Sequence, residues 1–536
     1  MRARLGSVLL AFGVAAATGS ASMPVPAPNL VVLMADDLDE KTFDRALDLG
    51  LLPAIASTLR DGGTRFRESF VSNPLCCPSR ASFLTGRYAH NHGVLNITWD
   101  ASAPQGSFAA FDDREHLGTW LQRAGYRTGL IGKFLNGYGY VPPRNCPLCD
   151  PMRYVPPGWD DWQALPDYGE YNGIPGIGYA GAYCMYHYTI NDNGRLVSHG
   201  GDDADYQTDV IATRAARFVD RQATDARPFF LWLAPLAPHF ELCLPAMTEF
   251  ERDVRAAPRH AGSLLPTVGF DPFDPAFDEA DVGDKPAWYD QRYPRLSGSD
   301  IDALQRSYRH RLEALRALDD LVATLRARLE ASGAWQDTVL VLTSDNGWFN
   351  GEHRAWGKVL AYEESIRVPL LLRGPGVPAG RIRDALVLNH DLAPTLAALA
   401  GAVPTFAMDG SDLRALLDGT EPPGWRRRLL VEHFRDGAWA PVSFADYFAV
   451  RTGGTDAPLL RSRTWIDWRT DGESAGIEHY ALDDDPKQLA SLGTGGASAA
   501  ALRAALAALR DCGQPGRTDC RLAESAVEGI FGADFD

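Results

Sequence analysis

Short apolar runs recur along this chain, and each ends in side chains capable of chemistry. Residues 30–34, 229–233 and 339–343 are continuous apolar or nearly apolar runs. Runs of that length predict strands buried on both faces, as in a parallel sheet packed between helices. Residues 126–131 read as a further strand. Between the strands come helical stretches at 114–124, 205–223 and 300–328. The last is the clearest: Leu304, Tyr308, Leu312, Leu315, Val322, Leu325 and Leu329 recur at spacings of three, four and seven, so they share one face. That helix is assigned to packing on the sheet and to no chemistry. Strands alternating with helices predict an α/β fold built on a large mixed, mostly parallel sheet sandwiched by helices. Residues 138–200, rich in Gly, Tyr, Pro and Trp with little periodicity, predict a functional loop. Residues 257–299 read as a Pro/Asp-rich insertion carrying Trp288, lying over the surface near the mouth of a site. From residue 419 the pattern changes to short strands at 447–451, 464–468 and 478–482, a turn at 483–486 and an Ala/Leu-rich helix at 499–509.

The strand ends matter most. The first run delivers Asp36-Asp37, the 126–131 strand delivers Gly132-Lys133, the third delivers His239 through a Pro-rich turn, and the fourth delivers Asp345-Asn346. In open α/β sheets ligand sites lie at the carboxyl ends of strands, so these groups are expected to converge. Each has a plainer reading: a helix cap for the aspartates, a solvated lysine, a structural histidine. Two adjacent carboxylates after a buried strand need a cation or N–H groups to satisfy them. Asp36, Asp37, Asp345 and Asn346 offer hard oxygen donors only, which favours calcium or magnesium over zinc.

Residues 76–87, Cys-Cys-Pro-Ser-Arg-Ala-Ser-Phe-Leu-Thr-Gly-Arg, read as a short capped helix. Pro78 suits a first turn and Gly86 a helix end. Cys76 then sits just ahead of the helix N-terminus, where free N–H groups and the helix dipole favour an anion. Arg80, about one turn on, adds a fork of donors for an oxyanion. Two adjacent cysteines alone would favour a disulfide scaffold. The whole string, however, resembles the signature of the sulfatase family.

The resemblance carries implications residue by residue. Cys76 would be the precursor of formylglycine, whose hydrated aldehyde is the family's nucleophile and a ligand of its metal. Pro78 and Arg80 would be read by a formylglycine-generating enzyme during maturation. Asp36, Asp37, Asp345 and Asn346 would hold the cation, usually calcium, with magnesium possible. Lys133 and Lys358 would bind the sulfate, and His239 would contact its leaving-group side, His239 or Lys358 protonating the departing alcohol. Many sulfatases place a histidine two residues after the first lysine; here Leu135 and then Asn136 stand, and Asn136 is expected to line the substrate pocket. His353, in a Gly-Glu-His form found in bacterial sulfatases, is expected to face the substrate. Tyr183, Tyr186 and Tyr188 either stack on a sugar ring or pack beneath their loop; packing is favoured for each singly. Residues 368–373 become a further sheet strand. The resemblance also implies an alkaline-phosphatase-like fold with a smaller C-terminal subdomain of four antiparallel strands and a helix. Residues 23–418 would form the catalytic domain and 419–536 the subdomain.

Length, charge and cysteines narrow the setting. The chain has 536 residues and a formal net charge of -17, which excludes nucleic acid as a partner. Arg2, Arg4, the apolar stretch 5–17 and the small residues at 19–21 predict an export signal over residues 1–22. No stretch is long and apolar enough for a comfortable membrane span, so no stable membrane partner is expected. The protein is read as secreted or periplasmic. Of eight cysteines, Cys512 and Cys520 predict a local disulfide. Cys146 and Cys149 are read as structural over a redox or zinc half-site, and Cys184 and Cys243 as paired with each other or elsewhere. With Cys76 converted, seven remain, so one has no partner within the chain.

The double cysteine, the Lys-Phe-Leu-Asn element and the Tyr-Ala-His-Asn-His continuation at 88–92 point towards the N-acetylglucosamine-6-sulfatase branch. The expected substrate is a sulfated saccharide such as N-acetylglucosamine 6-sulfate. Competing readings are a broad arylsulfatase, acting on aryl sulfates, and a phosphonate or phosphodiester hydrolase of the same superfamily. A non-catalytic binder of sulfated glycans ranks last.

Overall fold

A computed structural model of the protein describes residues 27–98, 105–167, 181–243, 253–271, 273–435, 445–453 and 462–526. The predicted export signal lies outside these residues. Ten strands form the main sheet: β1 (Asn29–Ala35), β2 (Thr64–Phe66), β3 (Arg127–Lys133), β4 (Asp161–Leu165), β5 (Thr189–Asp192), β6 (Arg195–Ser198), β7 (Phe229–Ala234), β8 (Thr338–Ser344), β9 (Leu370–Arg373) and β10 (Arg381–Arg383). Their order across the sheet is β10-β2-β9-β8-β1-β7-β3-β4-β5-β6. The centre is parallel: β1 pairs with β7 and β8, and β3 with β7 and β4. Antiparallel β9 flanks one side and β5 and β6 the other. Strands β4, β5 and β6 fall inside the stretch expected to be loop. Their short lengths and the surrounding Gly, Pro and Tyr hide a period of two.

The sheet is filled from both sides because successive strand residues point to opposite faces. Val31, Leu33, Leu231, Leu233, Leu340 and Leu342 face one layer. Leu30, Val32, Phe230, Trp232, Val339 and Val341 face the other. Helix α1 (Cys76–Thr85), α2 (Leu117–Arg123) and α5 (Leu392–Ala400) pack on the second face; α3 (Gln207–Gln222) and α4 (Gly298–Ala331) pack on the first. A separate antiparallel sheet follows, β11 (Arg428–His433), β12 (Asp446–Thr452), β13 (Arg463–Thr470) and β14 (Glu473–Ala481), covered by α6 (Gly496–Arg510). Trp288 lies 5.2 Å from Trp468 of β13, so that part of the 257–299 insertion braces this second sheet.

Every residue of α1 is buried. The helix begins at Cys76 itself, one residue earlier than the pattern predicted, with Pro78 still inside its first turn. Gly86 ends it at φ +69°, and a Cβ there would meet Met408 Sδ at 2.7 Å.

The C-terminal segment reaches back to the residues that follow this helix. Disulfide Cys512–Cys520 precedes α7 (Cys520–Ser525), which buries Glu524 against Arg426 (Nε to Oε2, 3.0 Å) and the Tyr88 hydroxyl. Burial pushes the Glu524 carboxyl up to about 7, although Arg426 and Tyr88 oppose the shift. A carboxyl with a raised folded-state pKa favours the folded protein fully below its ordinary pKa of 4.5, and that contribution is lost as pH rises through about 7. The melting temperature of the protein relative to Glu524→Gln is therefore expected to fall from about pH 5 to about pH 8. Calorimetry of the two proteins across that range checks it; a constant difference contradicts the assignment.

Candidate active site

Four strand ends and the start of α1 meet at one place. Asp36 and Asp37 follow β1, Lys133 ends β3, His239 follows β7, and Asp345 and Asn346 follow β8. Asp37 takes a left-handed φ of +63°, a conformation that non-glycine residues adopt only when their surroundings enforce it. Here the enforcement is visible. The Asp37 N–H donates to Asp345 Oδ1 at 3.1 Å, the Leu38 N–H to Ser344 Oγ at 2.8 Å, and Arg311 donates to the Asp37 carbonyl oxygen.

Asp36, Asp37 and Asp345 are fully buried, and three cations face them. Arg80 Nε donates to Asp345 Oδ2 at 2.8 Å and Nη1 to the Lys133 carbonyl at 2.8 Å. Lys133 Nζ stands 2.6 Å from Asp36 Oδ2. Lys358 Nζ donates to Asp37 Oδ1 and lies 2.7 Å from Cys76 Sγ. Burial alone would raise the Asp36 pKa, but Lys133, His239 and Arg80 hold it at about 2. Burial pushes the Cys76 thiol up to about 12 despite both lysines, so at neutral pH it is a thiol and a poor nucleophile.

The donor set fits a hard divalent cation. Asp36, Asp37 and Asp345 converge with Cys76 and the Asn346 amide, whose Nδ2 donates to Asp37 Oδ1 at 2.7 Å. Among the described residues, Asp37 Oδ2 is buried without a hydrogen-bond donor, and Asp36 Oδ1 meets the Cys76 thiol at 3.6 Å. His239 adds a further sign. Its Nδ1 is 2.6 Å from the Phe240 carbonyl and therefore carries the proton. Its Nε2 then turns a lone pair towards Asp37 Oδ2 at 3.3 Å, an arrangement that a proton or cation between them relieves. Burial lowers the His239 pKa to about 4, against the pull of Asp37 and Asp36.

Asn136 also reaches the cluster, through Tyr183: its Nδ2 donates to the tyrosine hydroxyl at 2.7 Å. His353 has other neighbours. Its Nδ1 is 2.7 Å from Glu279, its Nε2 is 3.7 Å from Glu364, and its ring stacks on Tyr362 at 4.4 Å. Fully enclosed, with its pKa raised to about 9 by those carboxylates in spite of burial, it is geometrically a core histidine and contacts none of the Cys76 group. The expectation that it faces the substrate is corrected on this geometry. The glycine-flanked Gly-Glu-His stretch leads with φ +54° at His353 into the inter-sheet packing, not the site.

Two contributors went unread in the sequence. Arg311 lies on α4, the helix given no chemistry. It donates to Pro238 O at 3.3 Å, to Asp37 O and to Asp39 Oδ2 at 3.3 Å, under the Trp348 ring. The signal was present: Arg311 falls between Tyr308 and Leu312 on the apolar stripe, where a charge is out of place. Tyr183 was assigned to packing and does pack, but against Lys133 and His239. Tyr186 and Tyr188 pack on Tyr206 and His199, as the favoured reading had it. All three cysteine pairs beyond the site are disulfides, Cys146–Cys149, Cys184–Cys243 and Cys512–Cys520, leaving Cys76 and Cys77 free and no zinc half-site at 146–149.

Fold and site together define an α/β protein that gathers three buried carboxylates and three cations at the carboxyl edge of a mostly parallel sheet. Comparison with known proteins makes the class specific. The sulfatase family profile matches residues 28–402, and the C-terminal profile of N-sulphoglucosamine sulphohydrolase matches residues 351–501. The chain belongs to the sulfatase family, and it is a sulfuric ester hydrolase. It is 33% identical over 441 residues to human N-acetylglucosamine-6-sulfatase, covering 81% of this chain and 71% of that one. It is 33% identical over 472 residues to an arylsulfatase of Volvox carteri, covering 82% and 67%. Among solved structures, one in complex with its substrate D-glucosamine-2-N,6-O-disulfate superposes with a TM-score of 0.66 at 23% identity, over 90% of this chain and 96% of the other. A phosphonate monoester hydrolase of Agrobacterium radiobacter superposes with a TM-score of 0.59 at 23% identity, over 90% and 94%. At such identities these two likenesses speak for the fold alone.

Arg311→Met keeps much of the volume but leaves Asp39 buried without its cation. The expected loss is about 3–5 kcal/mol of stability, the range for breaking one half of a buried ion pair. Denaturant unfolding measures it; a loss near zero shows that Arg311 braces nothing.

Proposed function

We propose that the protein hydrolyses the 6-sulfate ester of N-acetylglucosamine in a glycosaminoglycan-like saccharide, using a formylglycine derived from Cys76 and a calcium ion. The observation that carries this is the setting of Cys76. It opens a buried helix beside Lys358 and the aspartates, yet its own thiol is too weakly acidic to attack. A nucleophile at that Cβ calls for different chemistry. A hydrated aldehyde there would carry two geminal hydroxyls: one could attack sulfur as the alcohol departs, and the other could then lose its proton as the C–O bond to sulfate breaks and the aldehyde is restored, so that water need not cleave a stable ester. Asp36, Asp37, Asp345 and Asn346 would hold the cation, which when bound lowers the pKa of an attached hydroxyl.

The remaining roles belong to the chain's own side chains. Lys133 and Lys358 neutralise sulfate oxygens as negative charge gathers on them, in a largely buried site. Arg80 fixes Asp345 and the Lys133 carbonyl and so holds the cradle in place. His239, once it has taken up a proton at Nε2, and Lys358, already protonated, are the two groups that would protonate the departing sugar alcohol. Asn136 lines the pocket through Tyr183. The human and other N-acetylglucosamine-6-sulfatases among the relatives support the sugar, and the three disulfides together with the basic-apolar N-terminus support export to an oxidising compartment. Among the described residues no helix is long and apolar enough to cross a membrane.

The test begins with mass spectrometry of the tryptic peptide spanning residues 68–80 from the native host. Formylglycine at position 76 is the expected result, and an intact thiol in active protein overturns the mechanism. Cys76→Ala is expected to lose about 10^3-fold or more in kcat/KM, as removal of a nucleophile does. Chelation of divalent ions should abolish turnover, with calcium restoring it. Turnover of an aryl phosphodiester in preference to N-acetylglucosamine 6-sulfate would instead favour the phosphonate-hydrolase reading.

A further inference from the structure

We propose that Tyr183 is a positioning residue whose single ring fixes both Lys133 and His239, aligning sulfate binding with proton delivery to the departing alcohol. This rests on the sulfatase reading of the site given above.

Three contacts converge on the one side chain. The Lys133 ammonium lies 4.4 Å from the Tyr183 ring centroid, within cation–π range. The His239 ring lies 4.9 Å from it. The Tyr183 hydroxyl accepts from Asn136 Nδ2 at 2.7 Å, which fixes how far the ring can slide. The tyrosine is itself only 6% exposed.

Each contact removes a freedom the chemistry needs removed. Lys133 has a flexible four-carbon stem and one close partner, Asp36 Oδ2 at 2.6 Å. The aromatic face limits how far its ammonium can swing away from a bound sulfate. His239 is held at Nδ1 by the Phe240 carbonyl, which sets rotation in the ring plane but not tilt. Tilt is set by the flanking rings, Tyr183 at 4.9 Å and Phe240 at 4.2 Å.

Tyr183 and His239 are also tied through the backbone. The Leu242 N–H donates to the Tyr183 carbonyl at 3.1 Å, and the adjacent Cys184 is joined to Cys243. The disulfide therefore staples the segment that carries the ring to the segment that carries the histidine. Tyr183 is part of the hydrophobic core on this face of the sheet, so the ring that touches Lys133 and His239 is itself held by packing.

The test compares two sulfate esters. N-acetylglucosamine 6-sulfate releases a poor leaving group that needs a proton; 4-nitrocatechol sulfate releases a good one that does not. Tyr183→Leu is expected to lower kcat about 100-fold on the sugar ester and about 10-fold or less on the aryl ester, the scale of a small misplacement of catalytic groups. Tyr183→Phe, which keeps the ring, should recover most of that loss. The double variant Cys184→Ser with Cys243→Ser leaves every site side chain in place and should shift the same ratio in the same direction, which covers the case of a Leu variant that fails to fold. Equal losses on both esters, or an unchanged ratio in the disulfide variant, overturn the role of Tyr183 alone. A wild-type protein that turns over neither ester overturns the functional reading beneath it.

Discussion

Three carboxylates closed off from water within one cradle cannot stay ionised without compensation. Asp36, Asp37 and Asp345 repel one another, and burial penalises each further. Arg80, Lys133 and Lys358 answer them from a helix, a strand end and a hairpin. The arrangement works only if all three elements are in register at the edge of the sheet. The left-handed backbone at Asp37, the Arg311 brace from α4 and the buried Asn389 bonds to Ser79 of α1 are the local means of keeping them there. Under the proposed function, a divalent cation on the aspartates would leave this preorganised cradle with a net positive charge for a sulfate.

Much of this was legible from pattern. The central strands are apolar on both faces and so announce themselves; their polar termini follow from chain direction. The long helix at 298–331 was legible from its stripe and the capped helix at 76–85 from Pro78 and Gly86. Strands β4, β5 and β6 were not, because short edge strands bury too few residues to show a period. Arg311 is legible in principle as a single charge on a stripe of leucines, but the stripe alone does not say which buried carboxylate it meets.

The side-chain level was harder. His353 and His239 look alike in sequence, each a single histidine near a glycine or proline turn. Folding separates them: one meets Glu279 and Glu364 in the packing towards the second sheet, the other meets Asp37. Tyr183 differs from Tyr186 and Tyr188 only in what lies opposite, which is decided by a disulfide across 59 residues. No local pattern carries that kind of information. Pairing of distant segments places these residues, and pairing is a property of the whole chain.

The burial of α1 has a temporal side. Cys76, Pro78 and Arg80 are buried in the folded protein, with Lys358 against Cys76 and Asn389 against Ser79, so another macromolecule has little of them to grip. An enzyme that modified Cys76, as the proposed mechanism requires, would have only the still unfolded chain to work on. Modification and folding would then compete as rates. Under the proposed mechanism, a chain that closed its sheet early would keep an unmodified thiol, folded but without its nucleophile, and the proportion of such molecules would be set by how long residues 76–80 stay open.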